Sequence, residues 1–294
     1  MNRFVKYALP IAVMLLCSHT NPLSAQTDGD SVRVSHLYFD EEINPVDETD
    51  PEFGRFDAYE VSFSKGDLLL VQVKATGFSP AIVLIAPDDT TYLAKFPNEN
   101  GSNSLTYAVE IPFAGEWLLV VRADTNAIGS YRMRAWWADV ASRSLPEEAD
   151  LCDAINFVIA HANADFYFIT RGEGNNLYPN VQLPGAIVSR ISPENNFVSR
   201  FYQGNQKSQA RDIYSNLVGK LKFCNGDTWT ESFKDWQTID VLNGRKALRY
   251  ELREKERDDY RSVSVMFYDD SANPTARNKF VVEVQVSRNA VTEN

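Results

Sequence analysis

Two cysteines carry the clearest chemistry of the sequence. Cys152 and Cys224 belong to no CxxC motif and have no metal-ligating partner nearby in the chain. The third cysteine, Cys17, lies in residues 1–25, which have the pattern of a signal peptide and so predict export. An even pair of cysteines in an exported protein favours a disulfide, because the compartment is oxidising. Each cysteine also falls on the apolar stripe of a predicted helix, near the start of the first and at the end of the second. The sequence therefore predicts a bridge from Cys152 to Cys224, with two separate buried thiols as the alternative.

A second chemical feature is an acidic stretch in the first half of the chain. Arg55 is the only base among its eight carboxylates, which are Asp40, Glu41, Glu42, Asp47, Glu48, Asp50, Glu52 and Asp57. Oxygen ligands clustered in this way could hold Ca²⁺. The spacing of an EF-hand loop is absent, so a solvated loop that begins at the end of the first strand is the competing interpretation. The sequence leaves calcium open and indicates no other cofactor.

Few residues offer catalytic chemistry. His36 and His161 are the only histidines after residue 25, which excludes a three-histidine zinc site within one chain. His161 lies beside an apolar helical stripe, where a structural histidine is commoner than a catalytic base. The sequence contains no Gly-x-Ser-x-Gly motif. The glycine-rich segment 171–176 lacks the Lys-Ser/Thr ending of a phosphate loop, so no catalytic residue is assigned.

The carboxylates of the second half lie among bases. Glu251 and Glu254 are interleaved with Arg249, Arg253 and Lys255. We interpret this run as a solvated, charge-balanced hairpin. The alternative is a secreted enzyme of a class without short motifs, using carboxylates or Tyr in this half of the chain.

The charge balance limits the classes of partner. The formal net charge of -11 makes the chain a poor polyanion binder, so we expect no nucleic-acid partner. The charge is also uneven: residues 26–144 hold 19 acids against 9 bases, whereas residues 145–294 hold 21 against 18. This difference favours two domains of different character.

Residues 1–25 are typical of a secretory signal peptide. Arg3 and Lys6 precede an apolar run, and Leu23-Ser24-Ala25 supplies small residues for cleavage before Gln26. A lipid anchor on Cys17 is the alternative, although Leu16 stands where a lipobox needs a small residue. No later apolar run reaches a membrane-spanning length. We therefore expect an exported, soluble protein, periplasmic or extracellular, with no transmembrane segment.

The first domain is predicted to be an all-β antiparallel sandwich over residues 26–141. Short segments of alternating polarity are separated by turn residues, which is the pattern of such a sandwich. The predicted strands are 32–39, 55–63, 67–75, 81–86, 91–95, 104–111, 116–123 and 130–137.

The order of several segments in this domain resembles a known family. These segments are Asp57-Ala58-Tyr59, Gly66-Asp67, Phe78-Ser79-Pro80-Ala81, Gly115-Glu116-Trp117 and Gly129-Ser130-Tyr131. Over residues 31–139 the chain is similar to bacterial pre-peptidase C-terminal domains. Those domains are non-catalytic β-sandwich modules attached to secreted enzymes and other exported proteins, and some depend on calcium at the segment leading into the sandwich. The resemblance implies an accessory domain, although Asp88-Asp89 replaces the glycine that often follows the proline in the family.

The second domain is predicted to be α+β over residues 145–294. Apolar residues recur at helical spacing from Leu151 to Phe166 and from Ala210 to Cys224. Asn243-Gly244 is typical of a hairpin turn, because both central residues of that turn need positive φ. We expect two helices packed on one face of an antiparallel sheet. The predicted strands are 181–191, 197–202, 236–242, 245–252, 260–268 and 279–287, with a short one at 166–170.

A diverged αβββ repeat is one interpretation of this domain. The segment 181–186 leading to Phe201-Tyr202 parallels the segment 240–245 leading to Phe267-Tyr268. Such weak self-similarity predicts two related halves rather than a solenoid.

The sequence favours an exported non-catalytic binding or adaptor protein whose partner is a protein or a polysaccharide. The absence of a recognisable nucleophile, metal set or phosphate loop motivates this hypothesis. A surface-attachment or structural module is an alternative, beside the enzyme described above. Trp136 and Trp137 point to opposite faces of a strand, so one ring could contact a sugar or partner unless the domain junction covers it.

Overall fold

The computed structural model describes residues 34–47, 49–50, 54–88, 92–95, 102–123, 127–171, 178–225, 229–240, 244–255 and 260–289. Val32–Asn294 forms one compact unit. Several predictions lie outside the described residues: the signal peptide with Cys17 and the cleavage site before Gln26, the acids Glu48, Glu52 and Asp89, most of the glycine-rich segment, and Asn243.

The first half of the described chain is a sandwich of two antiparallel sheets. Its strands are β1 (Val34–Ile43), β2 (Thr49–Asp50), β3 (Gly54–Phe63), β4 (Leu68–Ala75), β5 (Ala81–Ile85), β6 (Tyr92–Lys95), β7 (Ser104–Glu110), β8 (Gly115–Ala123) and β9 (Gly129–Ala138). One sheet has the order β1-β9-β4-β7 and the other β2-β3-β8-β5-β6. All eight predicted strands form, and the two-residue β2 is additional.

Strand alternation builds the sandwich core. In β4 the side chains of Leu69, Val71 and Val73 point inwards, and in β8 those of Trp117 and Leu119 do the same. Each such buried apolar side chain contributes roughly 1.5–3 kcal/mol to folding. The turn between β3 and β4 contains Gly66 at φ +85, a conformation that favours glycine.

Strand β1 is longer than predicted, and this corrects the solvated-loop interpretation of the first three acids. It continues past Phe39 to Ile43, so Asp40, Glu41 and Glu42 are strand residues. Ile43 is fully buried and anchors this extension in the sandwich core. Asp40 lies opposite Arg132 of β9, whose Nη2 is 3.2 Å from the Asp40 Oδ2.

The second half is α+β. It contains α1 (Leu151–His161), α2 (Lys207–Cys224), β10 (Thr170–Arg171), β11 (Tyr178–Pro179), β12 (Val188–Ile191), β13 (Phe197–Gly204), β14 (Trp229–Asp240), β15 (Arg245–Glu254), β16 (Tyr260–Asp269) and β17 (Phe280–Asn289). The six-stranded sheet has the order β12-β13-β17-β16-β15-β14, with all neighbours antiparallel. Both helices pack on one face, as predicted. Among the described residues, neither helix is long and apolar enough to cross a membrane.

Alternate residues of the central strands form the core beneath the helices. Val263, Val265 and Phe267 of β16 belong to this apolar cluster together with Leu217 and Leu221 of α2. Helix α1 begins at a capping box, in which Asp150 accepts a hydrogen bond from the Asp153 backbone and Asp153 from that of Asp150. The helix ends earlier than its apolar stripe, because Asp165 and Phe166 adopt left-handed backbone conformations.

Three predictions for this half need correction. The predicted short strand 166–170 is a single 3-10 turn at Tyr167–Ile169, because Phe166 is left-handed, and the extended chain begins only at Thr170. Only Val188–Ile191 of the predicted strand 181–191 is extended in the sheet, because a turn at Pro184 and Gly185 interrupts the run. Within the described residues the predicted αβββ repeat does not form, since a hairpin of two-residue strands and two sheet strands follow α1 whereas four sheet strands follow α2. The predicted β14–β15 hairpin does form, with Gly244 at φ +65.

A third apolar cluster lies at the junction of the two halves. Trp136 and Leu70 of the sandwich pack there with Ala164 and Phe168 of the second half. Trp137 points the other way, into the sandwich core, so the junction covers the Trp136 ring. The boundary between domains at 141–145 remains a prediction, because the two halves share this buried cluster.

Candidate functional site

The predicted cysteine pair forms a disulfide. Cys152 lies in the first turn of α1 and Cys224 is the last residue of α2, with 5.1 Å between their Cα atoms. The bridge therefore joins the two helices that cover one face of the six-stranded sheet. Its role is structural, and it assigns no ligand.

The described acids of the stretch are divided among strands β1, β2 and β3 and the turn at Asp47. Asp40, Glu41 and Glu42 lie on β1, and Asp47 accepts a hydrogen bond from the backbone N–H of Asn44 at 2.5 Å. Within the part of the chain that the structure describes, no group of three His, Cys, Asp or Glu residues could hold a metal ion. Calcium binding stays a prediction.

Asp57 is engaged in a hydrogen-bond chain between the two sheets of the sandwich. The Tyr131 hydroxyl of β9 donates to Asp57 Oδ2 at 2.7 Å and also contacts the Tyr59 hydroxyl. Burial raises the pKa of Asp57, with Asp47 and Glu41 adding to the rise and the Tyr131 hydrogen bond opposing it. The chain links β3 of one sheet to β9 of the other, so Asp57 and Tyr59 contribute to the contact between the two sheets.

His161 is fully buried at the end of α1. Its ring packs against Phe157 and Phe168, with ring centroids 4.7 Å and 6.2 Å away. Burial lowers the pKa of His161 to about 4, against a smaller raising effect of the Ser142 backbone. The imidazole is therefore neutral at neutral pH and forms part of the packing at the junction.

The strongest concentration of chemistry lies on the face of the six-stranded sheet opposite the helices. We call it the arginine face and define it by Arg190, Arg200, Arg245, Arg249, Arg253, Glu251 and Glu283. These residues alternate along their strands with the apolar residues beneath the helices, so strand geometry directs them to the opposite side.

The first charged group of the arginine face is centred on Glu283 of β17. Arg200 of β13 lies directly opposite Glu283, and its Nε and Nη2 donate to Oε1 at 3.0 Å and 2.9 Å. Arg190 of β12 approaches the same carboxylate, with Nη1 at 3.2 Å from Oε1. Glu283 is 5% exposed, whereas the Arg190 side chain is 44% exposed. One buried carboxylate thus holds two guanidinium groups, of which Arg190 is the more accessible.

The second charged group is centred on Glu251 of β15. Arg249 Nη2 donates to Oε1 at 2.5 Å, and Arg253 Nη2 donates to Oε2 at 3.1 Å. Glu251 is only 2% exposed, whereas the Arg253 side chain is 39% exposed. The predicted solvated hairpin is therefore wrong for Glu251, because its two arginine neighbours lie over the carboxylate. Glu254 points to the other side of the strand and contacts Arg261.

A third group closes one end of the arginine face. The Arg245 guanidinium lies over the Tyr268 ring, 4.3 Å from its centroid, and Arg245 Nε is 3.4 Å from Asp270 Oδ1. Burial and then Glu283 raise the pKa of Tyr268, while Arg245, Arg190 and Arg249 oppose the rise. Tyr268 is therefore within electrostatic range of charged side chains on both sides of β16, in all three groups or next to them.

Strand β16 separates the two carboxylate-centred groups. Met266 lies between Arg249 and Glu283 in the strand register, and Ser264 lies between Glu251 and Gln285. Neighbouring strands are about 4.8 Å apart, so β15 and β17 are separated by about 10 Å. The two groups therefore present guanidinium donors on both sides of a narrow strip of small and flexible side chains.

The sequence contains a signal for part of this site. Arg249, Glu251 and Arg253 occupy every second position, so a strand places all three on one face. No sequence pattern indicates that Arg190, Arg200 and Glu283 meet, because they lie on three different strands and Glu283 is distant in the sequence from both arginines.

Comparisons with known proteins leave the family open. No family model matches the chain, and no curated protein does. Among solved structures, the periplasmic g-type lysozyme inhibitor PliG of Aeromonas hydrophila is 10% identical with a TM-score of 0.25, covering 38% of this chain and 91% of that one. PliG of Salmonella Typhimurium is 14% identical with a TM-score of 0.23, covering 35% and 90%. The virus-like particle of the Macrobrachium rosenbergii extra small virus is 13% identical with a TM-score of 0.14, covering 47% and 94%. At these TM-scores the matches assign neither fold nor function.

Proposed function

We propose that the protein is an exported, non-catalytic binding protein whose arginine face docks on an acidic surface of a protein partner. The observation that carries the proposal is the pairing of two buried carboxylates with four guanidinium groups on one sheet face. Each carboxylate neutralises only one of its two arginines, so a positive charge remains at each group. In a chain with a net charge of -11, this face differs in sign from the molecule as a whole.

The arrangement also suits recognition in geometric terms. A guanidinium group has five N–H donors in a planar fork that matches a carboxylate. Glu283 and Glu251 engage one side of Arg190 and Arg253, whose side chains keep 44% and 39% of their exposure. The buried carboxylates thus hold these two arginines in place, which lowers the entropic cost of binding.

A protein partner fits better than a polysaccharide. Sugar binding usually needs an exposed aromatic ring, whereas the Tyr268 ring lies beneath the Arg245 guanidinium. The face extends over the five strands from β12 to β15 and about three rows of side chains, or roughly 500 Å² at ordinary strand spacing. This area is somewhat smaller than one side of a standard protein interface, which buries about 800 Å² per partner. Arginine is also enriched among the residues that contribute most of the binding energy in such interfaces.

Export and the absence of catalysis form the second part of the proposal. The signal-peptide pattern of residues 1–25 and the Cys152–Cys224 disulfide are both consistent with an oxidising compartment. We propose an accessory role for the sandwich, in line with its resemblance to pre-peptidase C-terminal domains. Neither Glu251 nor Glu283 lines the cavity at the junction or the one beside α2. Tyr167 lines the first cavity and Asp212 the second, and the enzyme alternative stays a hypothesis.

Titration of the chain lacking residues 1–25 with poly-L-glutamate tests the proposal, with alginate as a polysaccharide of the same charge sign. The net charge of -11 disfavours polyanions in general, but the positive charge left at the arginine face should bind poly-L-glutamate saturably. This binding should weaken as salt is added, because exposed charges are screened. Alginate should bind more weakly. Equal or tighter binding of alginate would favour the polysaccharide alternative, and no binding of either polymer would refute the proposal.

A further inference from the structure

The junction of the two halves contains a cavity of about 380 Å³. Three segments line it: the start of β4 at Leu68, the connector at residues 140–144, and the turn at residues 167–170 with Asn180 beside it. One wall of the cavity is well packed, because Phe168 belongs to the junction cluster with Trp136 and is only 4% exposed. The cavity is separate from the arginine face, and none of the arginines of that face lines it.

The turn that borders the cavity is conformationally strained. Asp165 and Phe166 adopt φ values of +50 and +62, and left-handed conformations cost non-glycine residues roughly 1–2 kcal/mol each. Phe166 is fully buried, its N–H donates to the His161 carbonyl at 3.0 Å, and its carbonyl accepts from Thr170 Oγ1 at 2.7 Å. These contacts hold the strained pair in place.

The strained pair determines where the next two aromatic rings lie. Phe168 is directed into the junction cluster, whereas Tyr167 stays at the cavity with 39% of its surface exposed. The two rings are nearly perpendicular, at an interplanar angle of 84°. A large aromatic ring at the rim of a cavity, held by a strained backbone, is a feature that folding alone does not require.

Four polar side chains line the cavity beside the apolar Leu68, Val140 and Phe168. Arg143 is anchored by one hydrogen bond, from Nη2 to the Gly66 carbonyl at 3.0 Å, and a guanidinium has further donors. Ser144, Thr170 and Asn180 add hydroxyl and amide groups. Asp67, which does not line the cavity, interacts electrostatically with Arg143 and offsets its positive charge. The lining therefore combines apolar side chains with hydrogen-bonding groups and a single compensated charge, which favours an uncharged ligand that has both apolar and polar faces.

We propose that this cavity binds a neutral hexopyranose, one or two sugar rings in size. A pyranose has a C–H face that stacks on an aromatic ring and hydroxyl groups at its edge that need hydrogen-bond partners. Tyr167 offers the ring, and Arg143 and Asn180 in the same lining offer hydrogen-bond donors. The volume lies near the lower end of the range for small-molecule sites, which suits a ligand of this size.

The test is a titration of the intact protein with cellobiose and with methyl β-D-glucopyranoside, followed by isothermal calorimetry or protein-observed NMR. We expect saturable binding in the millimolar range. Tyr167→Ala should weaken it by at least about tenfold, as expected for the loss of an aromatic stacking partner. Tyr178→Ala is the matched control, because Tyr178 is 64% exposed on β11 and does not line the cavity.

Asn180→Ala is a second test, needed because Tyr167→Ala could lose binding simply by misfolding. Asn180 is exposed, so its replacement should leave the fold intact. We expect Asn180→Ala to weaken sugar binding while its thermal unfolding matches that of the wild type. The proposal is overturned if neither sugar binds at tens of millimolar, or if all three variants bind as the wild type does. Binding of p-cresol without binding of either sugar would also overturn it and would indicate a site for an aromatic side chain of a peptide.

Discussion

The two faces of the six-stranded sheet are formed by alternate residues of the same strands, yet they have opposite chemistry. Val265 and Phe267 of β16 are buried beneath the helices, while Glu251 and Glu283 on the other face are buried beneath arginines. Exposure is similar, at 0% for the two apolar residues and 2% and 5% for the two acids. Similar burial therefore removes apolar side chains from water on one face and encloses charged carboxylates on the other.

The difference follows from the energetics of burial. Burying apolar surface contributes about 25 cal/mol per Å², so the helix-covered face stabilises the fold directly. Buried ion pairs contribute little net stability, because desolvation offsets most of the electrostatic attraction. An extensive charged network on one face is thus poorly explained by stability, and recognition explains it better.

The largest effect should come from the disulfide above the apolar face. Replacing both cysteines, Cys152→Ala with Cys224→Ala, should lower the free energy of unfolding by about 4 kcal/mol, because the unfolded chain gains loop entropy. Denaturant unfolding of the oxidised wild type and the double variant measures this difference. A change below about 1 kcal/mol would mean that helix packing alone maintains the fold.

A comparable loss is expected from the core of the same face. Phe267 contacts the rings of Tyr214, Trp236 and Phe280 and is fully buried, so Phe267→Ala should cost about 4 kcal/mol through lost packing and a cavity. The matched control is Met266→Ala, one residue away on the arginine face and only partly buried. If both substitutions had the same effect in denaturant unfolding, the contrast between the faces would be lost.

The neutral imidazole of His161 should make stability depend on pH. Burial lowers the folded pKa to about 4, below the unfolded value of 6.5, so the unfolded state binds the proton more readily. The stabilisation is complete above pH 6.5 and is lost as the pH falls towards 4, by about 3 kcal/mol. The free energy of unfolding, measured with urea at several pH values in this range, should fall more steeply with decreasing pH for the wild type than for His161→Phe. Parallel profiles would show that His161 is not the titrating group.

A smaller effect is expected within the arginine face. Glu283→Gln removes the carboxylate that holds Arg190 and Arg200, and should lower stability by about 2 kcal/mol, since two partly exposed guanidinium groups lose a charged acceptor. The same change at the exposed Glu60 of β3 is the control and should have almost no effect. Equal unfolding midpoints for both variants would argue against the network as an ordered unit.

Much of the fold could be predicted from local patterns. Alternation located the sandwich strands, and helical spacing located α1 and α2 together with the ends that carry Cys152 and Cys224. Boundaries were less predictable where tertiary contacts decide them. Asp40 to Glu42 have the composition of a loop, but pairing with β9 keeps them extended.

The candidate site was less predictable than the fold. Arg249, Glu251 and Arg253 have the composition of a solvated surface, and only the neighbouring strands show that the acid is buried. Glu283 interrupts an apolar strand and finds its arginines on β12 and β13, which no local pattern reveals. Charge networks across strands depend on register, so composition alone does not identify them.

The most direct test of the binding face removes one arginine from each carboxylate-centred group. Arg190→Gln with Arg253→Gln leaves Arg200 on Glu283 and Arg249 on Glu251, so no carboxylate loses all its partners. The control is Arg211→Gln with Lys220→Gln, which removes the same charge from exposed positions of α2.

The measurement is the dissociation constant for poly-L-glutamate of both double variants. We predict at least about a tenfold rise for the Arg190/Arg253 variant, while its free energy of unfolding changes by less than about 1 kcal/mol. The Arg211/Lys220 control should bind as the wild type does. Equal weakening in both variants would show that only net charge matters, and unchanged binding in both would contradict the assignment of the arginine face.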